Sequence, residues 1–410
     1  MCETAVGAGI TTLGSSEATT PTSHCHGQVL NGARVKRRIL VTLSYYHPYI
    51  SGITENTRLI AEAMLGEYEV TVLTGRHKPS LPITEKVNGV NVVRANPLFF
   101  LHKGYISTDF VRKYLRLSRA AHLVHLRLPL LEAGLLALLT PKSIPIVSTY
   151  HCDVVAGKDW LDRLATAAVH LSSRLCLKRS RKIVVSSHDY AAGSPILRGL
   201  EDRWVESFPP CKEIAYQASM NGPASDGAVR IGFLGRFVRE KGIDVLLDAV
   251  PLVIEKLPNA KFLLAGELTE VAGGTIYEEI QSKLRSVGSN VEVLGRLENS
   301  QLQAFYSSLD LFVLPSMNSY EAFGMVQVEA MRAGVQVVAT DIRGVRIPVQ
   351  LTGNGELVPP GDPVALAGTI IRCLSMTDRS RRIEIAQRAD KVFANSHAFN
   401  QHGTLYRSLL

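Results

Sequence analysis

Arg38-Ile-Leu-Val-Thr-Leu43, then Tyr45-Tyr-His-Pro-Tyr-Ile-Ser-Gly52, then residues 56–65 with Leu59, Ile60, Ala63 and Met64 at helical spacing, decide the fold. An apolar β-rich run, a loop punctuated by proline and glycine, and an amphipathic helix make one βα unit. The alternation recurs downstream, with β-rich runs at 69–74, 90–93, 123–126, 144–149 and 182–187 and helical stretches between most of them. Repeated βα units predict a parallel sheet covered on both faces. Pro209-Pro210 and the polar stretch 217–227 interrupt the pattern, and Val229-Arg-Ile-Gly-Phe-Leu234 opens a second series through 260–265, 291–294, 309–314 and 335–339. The fold class is therefore α/β, with two doubly wound, Rossmann-like domains facing across a cleft. In such sheets ligands bind at the carboxyl ends of the strands.

A chain of 410 residues exceeds what one core usually serves. The expected division is a disordered extension over 1–36, a first domain over 37–215, a linker over 216–228, a second domain over 229–390, and a C-terminal helix over 391–410 free to cross back to the first domain. A hydrophobic content of 46% with 20% charged residues excludes disorder as the main state. The longest apolar run, 126–139, is broken by Arg127 and Glu132 and falls short of the roughly 20 residues a membrane span needs. Residues 1–33, rich in Thr, Ser, Gly and Ala, do not read as a secretory signal. Six cysteines without C-x-x-C spacing fit reduced thiols in a cytoplasmic protein. His24-Cys25-His26 is the nearest approach to a metal tract, and it lies in a low-complexity tail. A net charge of +8 favours anionic partners: nucleotides, anionic lipid head groups or nucleic acid. Nucleic acid is disfavoured, because the basic residues are not interleaved with aromatics and no helix-turn-helix, RNA-recognition or zinc-finger pattern occurs.

The most specific chemistry lies in Glu321-Ala-Phe-Gly-Met-Val-Gln-Val-Glu329-Ala-Met, two carboxylates eight positions apart at a loop-to-helix transition. Gly324 allows close backbone approach at the helix start, where free amides and the helix dipole suit a diphosphate. Glu321 would lie in the loop beside a sugar, and Glu329 further along the helix where it can accept from ribose hydroxyls. As isolated glutamates the two would read as a helix-start acid and a solvated helix residue; the strand upstream and Phe323-Gly324 argue for the site. A second signal, Gly232-Phe-Leu-Gly235-Arg236-Phe-Val-Arg-Glu240-Lys241-Gly242, again joins strand to helix. Arg236 with its planar fork and Lys241 as a point charge can converge on a diphosphate. Ser148-Thr-Tyr-His151-Cys-Asp153 follows a strand, so His151 faces the cleft from the first domain, with Asp153 orienting it or meeting an acceptor. The loop Pro48-Tyr-Ile-Ser51-Gly52-Ile-Thr54 offers amides ahead of the first helix, a weak signal alone. Five basic residues within 174–182 either touch anionic lipid or cap a helix carboxyl end, and the cap is the simpler reading.

At these residues the chain resembles the retaining GT-B glycosyltransferases of sequence family four, over nearly everything from Arg37 to Leu410. The likeness extends to Leu314-Pro-Ser316, Gly334-Val-Gln-Val-Val-Ala-Thr340 and Gly355-Glu-Leu-Val-Pro-Pro-Gly-Asp-Pro363. It implies Arg236 and Lys241 on the diphosphate of a nucleotide-sugar donor, Glu321 and His151 on the transferred sugar, and Glu329 on the ribose. It further implies backbone at Gly52, Gly235, Phe323, Gly324, Met325 and Val326 around the phosphates and sugar, and Arg296 and Leu297 by the base. Retention, a hydroxyl acceptor, a lean to UDP over GDP, and front-face displacement without a bound metal or other cofactor also follow from the resemblance. Peripheral attachment to an anionic membrane surface at the inner face stays an option, from the net charge and the basic stretch 174–182. Two positions depart from the pattern: Ser51-Gly52 stands where many relatives carry two glycines, and Ile347-Pro348 where many carry a glutamate. A degenerate relative that binds without turnover stays open as a different class, as do a phosphorylase, synthase or epimerase using the same cleft. A Rossmann oxidoreductase is disfavoured, since no G-x-G-x-x-G follows a strand.

Overall fold

The computed structural model describes residues 36–101, 104–155, 160–218, 226–269, 274–376 and 379–410. The expected extension up to residue 35, with Cys2 and the His24–His26 tract, and the centre of the expected linker lie outside them.

The first lobe runs β1 (Arg37–Thr42), α1 (Gly52–Ala63), β2 (Tyr68–Gly75), β3 (Thr84–Val87), β4 (Val90–Ala95), a small hairpin of β5 (Phe99–Leu101) and β6 (Gly104–Ile106), and α2 (Thr108–Ala120). It continues with β7 (Leu123–Leu128), α3 (Ala133–Leu139), β8 (Ile146–Tyr150), α4 (Trp160–Arg179), β9 (Lys182–Val185), α5 (His188–Gly193) and β10 (Trp204–Glu206). The sheet order is β10-β9-β8-β7-β1-β2-β4-β3, parallel except for β3, which pairs antiparallel with β4. The central strands read as apolar runs because helices cover both faces; every residue of β7 and β8 is buried.

The second lobe alternates more regularly: β11 (Val229–Leu234), α6 (Ile243–Lys256), β12 (Ala260–Ala265), α7 (Tyr277–Ser286), β13 (Val291–Gly295), α8 (Asn299–Ser308) and β14 (Leu311–Leu314). After β14 come α9 (Met325–Arg332), β15 (Gln336–Thr340), α10 (Ile347–Thr352), β16 (Gly355–Val358), α11 (Pro363–Ser375), α12 (Arg382–Phe393) and α13 (Asn395–Leu409). Its six strands are all parallel in the order β13-β12-β11-β14-β15-β16.

The crossing between lobes differs from the expected boundaries. Ser207 still bonds the first sheet, N to Val185 O at 2.9 Å, whereas Ile214 already lies in the second lobe's core. The expected helix 391–410 is two helices, broken at extended Ala394. The break lets Asn395 pin both crossings together: its Oδ1 accepts from Cys211 N at 3.0 Å and its Nδ2 donates to Cys211 O at 2.8 Å.

Helix α13 then packs on the first lobe, with Ala398, Leu405 and Tyr406 in one core with Ile39, Val41 and Ile60. Tyr406 Oη bonds His125 Nδ1 at 2.6 Å, and His402 lies stacked on His125 at 5.9 Å. Burial, then the nearby Arg127 charge, pushes His402 down from 6.5 to about 3. The unfolded chain thus binds a proton that the folded chain refuses, so this ring's contribution is full above pH 6.5 and is lost as pH falls toward 3. With His125 and Arg127 unchanged, His402→Leu is expected to make stability fall less steeply with acid, by about 1.4 kcal/mol per pH unit between roughly pH 6 and 4. Urea midpoints measured at closely spaced pH values check this.

Candidate active site

In the second lobe the chain leaves β11 through Gly235, whose N bonds Ala265 O at 3.0 Å, and Phe237 N then bonds Glu267 O at 3.0 Å. The loop closes at Gly242 in the left-handed conformation, φ 67° and ψ 28°. A Cβ there would stand 2.0 Å from Pro315 O, and Met317 N bonds Glu240 O at 2.9 Å, so this loop is stitched to the segment after β14. The consequence is an ion pair between Lys241 Nζ and Glu321 Oε2, both side chains about one-sixth exposed, at 17% and 16%. Two residues eighty positions apart, singled out separately from sequence, thus meet. Arg236, on the same loop, is about one-third exposed, 4.0 Å from Glu240. Its charge reaches across to the first lobe's Tyr49, where burial raises the phenol pKa and Arg236 opposes the rise.

Glu321 precedes α9, which starts at Gly324 with φ 77° and ψ 65°. A Cβ at that position would meet Leu314 Cδ2 at 2.5 Å. The first amides of α9 have no partner within the helix. Phe323 turns its ring inward, 5.7 Å from Phe208 and 5.6 Å from Phe393, so only its backbone serves the site. Val326 packs on the lobe core, while Met325 Cε lies 3.5 Å from where a Cβ on Gly52 would be, which brings α9 against α1. Glu329 is not on a solvated face. It is buried, accepts from Tyr306 Oη at 2.8 Å and, through the longer contact of 3.3 Å, from Lys212 N, and burial raises its pKa. Arg296 and Leu297 follow β13 at the same sheet edge; the guanidinium is half-exposed 4.0 Å from Glu267, and Leu297 packs on the core.

The opposite wall comes from the first lobe. Ser51 caps α1, its Oγ accepting from Thr54 N at 3.2 Å, and leaves Gly52 in the first turn. His151 follows β8, with its N bonded to Leu128 O at 3.0 Å and its Nε2 buried without a protein partner among the described residues. Burial and then Arg127 hold its pKa well below 6.5, so the ring is neutral at neutral pH. Asp153 does not orient it. Its Oδ1 accepts from Tyr150 Oη at 2.8 Å and Ser194 Oγ at 2.6 Å, and its N bonds Tyr190 Oη at 2.6 Å. It braces the loop that carries His151.

Arg127 was not anticipated; in the sequence it only breaks an apolar run. It is 1% exposed in β7, donates from Nη1 to Asn56 Oδ1 of α1 at 2.7 Å, and has an Nε without a partner among the described residues. A charge near the carboxyl end of a strand buried on both faces is the signal that marks it. The basic stretch 174–182 is partly structural: Arg174 donates to Ile196 O at 2.7 Å and Arg198 O at 2.6 Å.

The strand-end loops of the two lobes are tied together. Asp189 of α5 accepts from Arg346 Nε at 3.0 Å and Gly344 N at 2.8 Å, Tyr190 Oη donates to Ser319 O at 2.9 Å, and Ser186 Oγ donates to Ala322 O at 3.1 Å. With Ile347-Pro348 opening α10, Arg346 carries the polar contact in this region. A cavity of about 280 Å³ lies between the lobes, lined by Asp153, Val155 and Tyr190 on one side and Ser319, Ile342 and Arg343 on the other. Among the described residues no three His, Cys, Asp or Glu side chains cluster to hold a metal.

Residues 228–376 match the family described as glycosyl transferases group 1, and residues 51–198 the glycosyl transferase 4-like domain. The chain is 25% identical to an uncharacterized glycosyltransferase of Methanocaldococcus jannaschii over 82% of its own length and 88% of the relative's. It is 28% identical to a phosphatidyl-myo-inositol mannosyltransferase of Mycobacterium leprae over 60% of its length, but spans only 62% of that protein. In three dimensions it is similar to Anabaena HepE in complex with UDP and glucose, with TM-score 0.70 and 17% identity, covering 91% of this chain and 100% of that one.

Proposed function

Because this chain belongs to the group 1 glycosyl transferases and has their two-lobed GT-B fold, we propose that it moves a hexose-type sugar from a nucleotide-diphosphate sugar to a hydroxyl acceptor, retaining the anomeric configuration. The observation that carries this reading is the Lys241–Glu321 pair at the strand ends of the second lobe, opposite His151 and Gly52. Lys241 and Arg236 neutralise the diphosphate as it departs, where preorganised charge in a sheltered site stabilises the transition state most. Glu321 holds Lys241 and offers its second oxygen to a sugar hydroxyl. Neutral His151 meets the sugar from the first lobe, Gly52 brings backbone to the phosphates, and the first amides of α9 receive a phosphate oxygen. The acceptor hydroxyl attacks the anomeric carbon on the face the diphosphate leaves, the carbon–oxygen bond to phosphate breaks with its electrons, and the leaving phosphate oxygen takes the hydroxyl proton. Buried Glu329 reaches a ribose only by exchanging the Lys212 contact, and Arg296 and Leu297 flank the base.

A UDP donor is favoured over GDP, in keeping with the UDP held by the Anabaena protein of the same fold. No described helix is long and apolar enough to cross a membrane, and we place the reaction in the cytoplasm, at the inner membrane face when the acceptor is a lipid. Since two side-chain cations occupy the role a divalent ion would fill, turnover is expected to be unchanged in EDTA; an absolute need for Mn or Mg in a purified-enzyme assay contradicts this. The reading is tested by incubating the chain with radiolabelled UDP- and GDP-hexoses and an acceptor panel, with NMR of the new glycosidic bond. A product of inverted configuration, or nucleotide release that never yields a glycoside, overturns it.

A further inference from the structure

Helix α4 carries apolar side chains on its outer face as well as its inner one. Cys176 and Leu177 enter the first lobe's core beside buried Thr166 and Ser173, while Trp160, Leu164, Leu171 and Leu175 form a solvent-facing stripe at helical spacing, with Trp160 71% exposed. A water-facing helix stripe is normally polar, and a contiguous exposed apolar patch marks an interaction surface. The patch continues on to α3. The two helices pack nearly backbone to backbone, since a Cβ on Gly134 would stand 2.9 Å from Ser172 O and 3.2 Å from Leu175 Cβ, and Ser172 Oγ accepts from Gly134 N at 2.8 Å. Beside Leu175, α3 therefore presents Leu135 and Leu138, the latter 68% exposed. Together they make an apolar ridge whose α4 part, Trp160 to Leu175, is roughly 22 Å long at 1.5 Å per residue.

Basic side chains border this ridge. Helix α2 is tied to the end of α3 by a 2.5 Å bond between Tyr114 Oη and Thr140 Oγ1, and it exposes Arg112, Arg116 and Arg119 in one row. Helix α4 itself exposes Arg163 and Lys178. We infer that the α3–α4 face docks on an anionic lipid bilayer surface, with the leucines and Trp160 entering the head-group boundary and the flanking arginines on the lipid phosphates. An apolar strip bordered by cations is the composition that binds such an interface. A second copy of the chain fits less well, because self-association through this face brings the same arginine rows toward each other. The inference deepens the transferase reading: α4 follows the loop that carries His151 and Asp153, so docking sets the cleft mouth at the level of the head groups.

The test is co-sedimentation of the full chain with vesicles of phosphatidylcholine, alone or with about 30% phosphatidylglycerol, at low ionic strength and in about 0.5 M NaCl. The chain is expected to pellet with the anionic vesicles, less so in salt, and to ignore pure phosphatidylcholine. Leu164→Glu with Leu171→Glu, and separately Arg112→Glu with Arg116→Glu and Arg119→Glu, are each expected to weaken binding at least tenfold without changing the thermal midpoint. Should the leucine pair fail to fold, the arginine triple, all on exposed positions, decides. The inference is overturned if wild type stays in the supernatant with anionic vesicles, if a folded variant binds as wild type does, or if light scattering finds a dimer that the leucine pair dissociates. Vesicle binding without any consumption of nucleotide sugar sinks the transferase reading alone; turnover without vesicle binding sinks the docking surface alone.

Discussion

Lys241→Ala is expected to lower kcat/KM for sugar transfer by roughly 100- to 1,000-fold, the usual cost of deleting one preorganised group aimed at developing charge. The lysine is five-sixths sheltered and reaches the site on a loop fixed by backbone bonds, so no flexible neighbour can replace it. Two effects add in this variant. The diphosphate loses a cation, and Glu321 loses the partner that neutralises it beside an incoming anion. A double-mutant cycle separates them: Glu321→Gln on the Lys241→Ala background is expected to cost less than Glu321→Gln alone, because the residues act as a pair. Initial rates of nucleotide release with and without acceptor supply the measurement, with a thermal melt to show that both chains are folded. An activity loss below threefold contradicts the assignment.

The second large effect is on stability. Gly242→Ala places a methyl 2.0 Å from a backbone carbonyl, that of Pro315, at a residue with φ 67°, so neither a side-chain rotation nor a small backbone relaxation relieves it. The expected loss is about 3 kcal/mol or more, from strain at a left-handed position plus overpacking. Because the same loop places Lys241, activity is expected to fall further than the unfolded fraction alone accounts for. Urea unfolding monitored beside the transfer rate distinguishes the two losses. A variant as stable as wild type shows that the loop is free to move away from the segment after β14.

The two lobes were readable because parallel strands buried on both faces leave continuous apolar runs, and because a glycine or proline loop separates each from its helix. Lys241, Arg236 and Glu321 were readable for a related reason: they sit at fixed offsets from glycines that the strand-to-helix turns require. Edge strands were less visible. Strand β3 alternates exposed and half-buried residues, and only the Asn88-Gly89 turn announces its hairpin with β4. Roles set by contacts distant in the sequence were invisible. Nothing near Asp153 indicates that Ser194 and Tyr190 hold it, and nothing near Asn395 indicates that Cys211 awaits it. Arg127 was legible in principle, as a charge inside a strand whose neighbours are all buried. Glu329 shows the limit of helical spacing: periodicity places the carboxylate on the helix, while burial by Tyr306 and Lys212 is a property of the second lobe as a whole.

The central claim is that positive groups of the second lobe hold a nucleotide diphosphate against the first. Thermal unfolding of the full chain, titrated in EDTA with UDP, GDP, ADP and their hexose conjugates, tests it most directly. One diphosphate family is expected to raise the midpoint by about 3–6 °C at a hundredfold excess over its Kd, and the rise is expected to vanish when Arg236 and Lys241 are both alanine. No shift with any of these ligands, or the same shift in the double variant, contradicts the account.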